Sequence, residues 1–126
     1  MLTNTKVITN NPMVKENIPE YLKLDYIDGT VENVFKKVRD YIHNGHILLT
    51  HPLMSSVKPN ETPYRTVLIS NSKKDSIDMD SLQIIEDSIM SLDKFIKMFK
   101  CPNWNEKIKK DFMIIDYDLI NNVINK

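Results

Sequence analysis

The sequence predicts an α/β fold: a single small domain, residues 1–126, with a mixed or mostly parallel sheet of about four strands, flanking helices and a helical C-terminal tail. Three observations carry this. Four short runs, Lys6 to Thr9, Leu22 to Ile27, Ile47 to Thr50 and Thr66 to Ile69, are rich in β-branched and aliphatic residues and stop at polar or turn-forming ones. Two longer segments repeat apolar residues at helical spacing. A chain of 126 residues is long enough to bury one core and too short for two substantial ones.

Lys6-Val7-Ile8-Thr9 reads as a buried strand ended by Asn10-Asn11-Pro12, and Leu22 to Ile27 alternates apolar and polar before an Asp28-Gly29 turn. Thr30 is a suitable helix N-cap. Glu32 lies in the first turn, where the helix dipole favours it, and Val31, Val34, Phe35, Val38 and Ile42 share one face up to a stop at Gly45. Ile47-Leu48-Leu49-Thr50 is uniformly apolar and is expected as a central strand, with Thr66-Val67-Leu68-Ile69 following after a loop. A second helix is expected to open near Asp80 with Gln83 as capping partner. Its apolar edge is Leu82, Ile85, Ile89, Leu92, Ile96 and Phe99, and Pro102 ends it. Glu106 to Met113 and Asp116 to Asn125 read as two shorter closing helices that bury Phe112, Ile115, Leu119 and Val123.

Lys+Arg and Asp+Glu are equal at 17 each, and no basic stripe is interleaved with aromatics, so nucleic-acid binding is not expected. No run approaches the ~20 apolar residues of a membrane-spanning helix, and no basic-then-apolar leader opens the chain, so no membrane partner and a cytoplasmic location are expected. A lone cysteine, Cys101, allows no internal disulfide and suits a reducing compartment. With Lys97 and Lys100 nearby its thiol could be activated, although a cysteine of this kind is more often a small inert residue. Only two glycines occur, so the Gly-rich phosphate cradles of nucleotide sites are absent and no cofactor is expected. His43, His46 and His51 fall on a helix end, a strand start and a strand end, which disfavours a shared metal site.

The segment from His51 to Arg65 is the strongest pointer to function. It is long for a connection in a compact domain, and Pro52, Pro59 and Pro63 stiffen it, so its side chains are presented on a partly pre-set backbone. His51, Ser55, Ser56, Lys58, Asn60, Tyr64 and Arg65 supply donors, with Glu61 the only acid; such a set suits a small anion, namely phosphate, acyl phosphate or carboxylate. The competing reading leaves Lys58 and Arg65 solvated and lets Ser55, Ser56 and Asn60 cap the loop's own turns. Because Asn10-Asn11-Pro12 echoes His51-Pro52, and ligands of open α/β sheets bind at strand carboxyl ends, Asn10, Asn11, His51 and Ser70-Asn71 are expected to line one crevice roofed by the loop.

The loop also carries a family resemblance. Thr9-Asn10-Asn11-Pro12, Asp28-Gly29, Val38-Arg39-Asp40, Ile42-His43, Leu49-Thr50-His51-Pro52-Leu53, Ser56-Val57-Lys58-Pro59-Asn60-Glu61-Thr62-Pro63-Tyr64 and Pro102-Asn103-Trp104 together resemble the GrdX family over almost the whole length. The resemblance implies a setting, the glycine reductase system of amino-acid-fermenting anaerobes, and no particular reaction. The leading expectation is an accessory protein that binds a small anionic metabolite through Asn11, His51, Ser56, Lys58 and Asn60, with Lys58 neutralising the ligand and the Ser and Asn groups orienting it. Two alternatives stand beside it. One is a small enzyme using His51 as general base or nucleophile on an acyl or phosphoryl compound. The other is an interaction module, monomer or homodimer, docking on a reductase subunit through the loop and exposed residues such as Phe95 and Met98.

Overall fold

A computed structural model describes residues 3–55, 57–100 and 102–125. Its elements are β1 (Thr5–Thr9), α1 (Pro12–Asn17), β2 (Lys23–Tyr26), α2 (Val31–His43), β3 (Thr66–Ser70), α3 (Met79–Met98) and α4 (Glu106–Ile124). The strands form one mixed sheet in the order β2-β1-β3, with β1 parallel to β2 and antiparallel to β3.

Side chains alternate across a strand, and the core divides accordingly. On one side of the sheet Ile8, Val67 and Ile69 meet Val31, Val34, Phe35, Val38 and Ile42 of α2 and Ile85 and Leu92 of α3. On the other side Val7 and Leu68 meet Val14 of α1 and Ile120 and Ile124 of α4. The result is three layers, with β1 and β3 buried on both faces.

The sheet has three strands where about four are expected, and it is mixed rather than mostly parallel. Residues 47–50 do run beside β3, but they form a single bridge, Leu48 to Ile69. Side-chain hydroxyls have replaced the missing rungs: Ser70 Oγ accepts from Ile47 N at 2.8 Å, Ser81 Oγ from Leu48 N at 2.9 Å, and Thr50 Oγ1 from Leu68 N at 3.0 Å. The segment satisfies its backbone without a regular ladder.

Asn10-Asn11-Pro12 ends β1 as expected and, beyond that, starts the short helix α1. Asn11 is the N-cap, its Oδ1 accepting from Met13 N at 3.0 Å, and Pro12 takes the first helical position, where a missing N–H costs nothing. At α2 the expected cap holds: Thr30 Oγ1 accepts from Asn33 N at 3.1 Å while Asn33 Oδ1 accepts from Thr30 N at 2.9 Å. Helix α3 opens near Asp80 as expected, at Met79, but its cap is Asp78, which accepts from both the amide and the hydroxyl of Ser81, and Gln83 donates to Asp87 rather than completing a capping box. The same Ser81 bonds hold the Asp78 carboxyl below its ordinary range. The apolar edge of α3 is buried at Ile85 and Leu92 and runs out into solvent at Ile96 and Phe99.

The two closing helices are one, and its buried register differs from the expected one. Asp116, Ile120 and Ile124 face inward, whereas Ile115 is 44% exposed. The expected register has no inward aspartate; Asp116 turns inward because the Asn11 amide and the Thr66 hydroxyl donate to it there.

Gly45 follows α2 with φ +104°, and a Cβ there would stand 2.2 Å from the carbonyl oxygen of Lys74. Both the left-handed backbone and the close approach require glycine. Gly45→Ala is therefore expected to cost about 1–3 kcal/mol of stability, measured by urea denaturation.

Candidate functional site

The polar residues at the β1–β3 end of the sheet are tied together. Asn10 Oδ1 accepts from Arg65 N at 3.0 Å, while its amide group donates to the Pro63 carbonyl at 2.8 Å and the Gly29 carbonyl at 3.0 Å. Arg65 is 3% exposed and lies under the loop, its Nη2 donating to the Val57 carbonyl at 2.9 Å and its Nη1 to the Met54 carbonyl at 3.4 Å. Asn11 Nδ2 donates to the Met113 carbonyl at 2.9 Å and to Asp116 Oδ2 at 3.0 Å. Asp116 Oδ2 also accepts from the Thr66 hydroxyl at 2.6 Å, and the Thr9 hydroxyl, 2.7 Å from that of Thr66, extends the chain. Burial pushes the Asp116 carboxyl above its ordinary range, against the pull of Thr66, Asn11 and Arg65; burial lowers the Arg65 guanidinium, opposed by Asp116.

Asn10, Asn11 and Arg65 thus fasten the loop to β1, β3 and α4. Ser70 and Asn71 do not join them. Antiparallel pairing sets Ser70 opposite Thr5, and Asn71 N donates to the Asn4 carbonyl, so both lie at the other end of the sheet from Asn10 and Asn11. His51 is exposed, its Nδ1 accepting from Leu53 N at 3.1 Å. Ser55 Oγ accepts from Val57 N at 3.0 Å within its own turn. Lys58 is exposed, with its ammonium 5.8 Å from the Phe99 ring centre. Ser56 and Cys101 lie outside the described residues.

Asn60 and Tyr64 line a cleft of about 420 Å³ beside the loop. One wall is Gly29 and the first turn of α2, Thr30 to Glu32; the loop contributes Pro59 to Tyr64, α3 contributes Leu92 and Ile96, and Pro102, Trp104 and Lys109 close the far side. Trp104 holds this shape, donating from Nε1 to the Glu61 carbonyl at 2.7 Å and stacking at a tilt on Phe112 with ring centres 5.5 Å apart. Thr62 braces the turn, since its hydroxyl donates to the Tyr64 carbonyl at 3.0 Å and accepts from Tyr64 N at 3.2 Å. Burial, then Glu106 and Tyr26, raise the Tyr64 phenol, so it stays protonated and able to donate at neutral pH. Asn60 Oδ1 is buried without a hydrogen-bond partner.

Sequence reasoning centred on the loop and missed the walls that other elements bring to it, Thr30 to Glu32, Trp104 and Lys109. Pro102-Asn103-Trp104, a rigid turn carrying the chain's single tryptophan, was the available signal. Among the described residues no three His, Cys, Asp or Glu side chains group to hold a metal ion, and no helix is long and apolar enough to cross a membrane.

Fold and cleft together define a small three-layer α/β protein with a mixed-polarity recess fastened by one loop. The chain belongs to the GrdX-like protein family, whose model matches residues 6–125. This supports, at the level of the family, a glycine-reductase-associated protein. No curated protein and no solved structure gives a match.

Proposed function

We propose that this chain is an accessory protein of the glycine reductase system that binds a small anionic metabolite, a carboxylate, acyl phosphate or phosphate, in the cleft beside the 57–65 loop. The observation that carries the reading is the position of that cleft at the opening of α2. The first amides of a helix have no intrahelical partners and sit at the positive end of its dipole, which favours an anion. Thr30 caps Asn33 N and leaves the amides of Val31 and Glu32 for a ligand. The protonated Tyr64 hydroxyl and Lys109 add donors, and Asn60 completes the wall. Lys58, exposed near the loop's outer face, steers anions toward the mouth within about a Debye length of 8–10 Å.

Isothermal titration with acetate, acetyl phosphate and inorganic phosphate tests this. Binding by at least one is expected, weakened about 3–10-fold in Tyr64→Phe, which removes one hydrogen bond and leaves the ring. Absence of heat with all three ends the proposal. Docking on a reductase subunit is a companion reading, favoured by Met98 and Phe99, 63% and 44% exposed beside the loop's Lys58. A pull-down with purified subunits that yields no complex removes it.

A further inference from the structure

Two helix faces of opposite chemistry are left uncovered, one on each side of the sheet. On α3 the inward residues are Ser81, Ile85, Ser88 and Leu92, and the face turned away from them carries Met90, Lys94, Lys97 and Met98 at spacings of three and four. Met90 and Met98 are 68% and 63% exposed, and both lysines are exposed. On α4 the inward residues are Asp116, Ile120 and Ile124, and the opposite face carries Asp111, Ile114, Ile115 and Asp118, all exposed and at the same spacings. Among the described residues none of these four charged side chains has an ion-pair partner. Each stripe covers about two turns, or roughly 11 Å of helix.

We infer that the acidic α4 stripe of one copy of this chain docks on the basic α3 stripe of a second copy. Lys94 and Met98, one turn apart, are matched in either helix direction by an aspartate and an isoleucine one turn apart, Asp118 with Ile114 or Asp111 with Ile115. This pairing sets opposite charges around methionines flexible enough to pack on branched isoleucines, whereas either stripe against itself sets like charges together. Helix α3 packs on the Ile8, Val67 and Ile69 side of the sheet and α4 on the Val7 and Leu68 side, so one molecule cannot join its own two stripes. A pair formed through this contact still presents one α3 stripe and one α4 stripe, which makes the association head-to-tail and open to further growth. Four residues a side are few against the roughly 20–30 of a standard interface, so the association is weak and depends on concentration. The contact does not involve the cleft, and its outcome is independent of the anion reading.

Sedimentation velocity of the full chain, from about 10 μM to about 1 mM, tests this. The average mass is expected to rise with concentration, and the association to weaken about 3–10-fold when high salt screens the charges. Lys94→Glu with Lys97→Glu gives two acidic stripes, and Asp111→Lys with Asp118→Lys gives two basic ones, so each of these variants is expected to stay monomeric. The chain carrying all four changes, whose net charge equals the wild type's, is expected to associate again, because its stripes are once more opposite in sign. All four positions are exposed, and circular dichroism verifies the fold of each variant. A wild type that is monomeric at every concentration, an association unchanged in either pair of substitutions, or a fourfold variant that stays monomeric overturns the inference. Capture of a monomeric wild type by anionic phospholipid vesicles, lost in Lys94→Glu with Lys97→Glu, overturns it in favour of a membrane surface on the α3 stripe.

Discussion

Asp116→Ala is expected to lower the unfolding free energy by about 3–5 kcal/mol, read as a shift of the urea midpoint at unchanged slope. The carboxylate is 8% exposed and is the acceptor on which Asn11 Nδ2 and the Thr66 hydroxyl converge at 3.0 and 2.6 Å. Removing it strands two buried donors at about 1–3 kcal/mol each and takes the nearest counter-charge from the buried Arg65. Through Asn11 it also loosens the N-cap of α1, and through Thr66 the first rung of β3 on β1. A loss below about 1 kcal/mol would show that the network is ornamental to stability.

The pH dependence of the same site has a definite sign. Burial raises the folded carboxyl above its ordinary 3.8, so between the two values the folded chain binds more protons than the unfolded one. Stability contributed through this group is then greatest at or below 3.8 and falls as pH rises through the window up to the folded value, after which it is flat. Asp116→Asn removes the titration and nearly preserves shape. The difference in unfolding free energy, wild type minus Asp116→Asn, is expected to decrease as pH rises through that window. A difference that increases instead means that the bonds from Thr66 and Asn11 outweigh desolvation.

Much of the architecture could be read from local chemistry where local and tertiary demands agree. Helix α2 is the clearest case: Thr30 caps it, five apolar residues share one face, and nothing outside the helix alters that pattern. β1 and β3 were legible because continuous β-branched runs fit strands buried on both faces. The misreadings arise where a side chain substitutes for backbone. Thr50, Ser70 and Ser81 take over the bonds that would have made residues 47–50 a strand, and Asn11 with Pro12, besides ending β1, begins a short helix that the strand-ending reading of the pair did not include. The register of α4 slipped because Asp116, at the four-residue spacing of Phe112 and Ile120, is an inward acidic group whose donors come from β3 and the β1–α1 turn, remote in sequence. The candidate site suffered the same ambiguity. A donor spent on the protein's own carbonyls and one on the wall of a cleft look identical in a sequence, so Asn10, Asn11 and Arg65 could not be told from Asn60 and Tyr64.

Arg65 supplies the decisive case of that distinction. Arg65→Ala is expected to destabilise the fold by about 3–5 kcal/mol, because two charge-assisted bonds to the Val57 and Met54 carbonyls vanish and Asp116 loses its nearby cation. Arg65→Lys keeps the charge, but a single ammonium replaces a planar fork that reaches both carbonyls at once, so about 1–2 kcal/mol is expected to be lost even so. Because Arg65 and Asp116 share one buried environment, the double variant Arg65→Ala, Asp116→Ala is expected to lose less than the sum of the two single changes. Chemical denaturation of the four proteins gives all these values. A fully stable Arg65→Ala protein would return this residue to the proposed ligand contacts; a destabilised one fixes its role as the anchor that holds Met54 and Val57 of the loop.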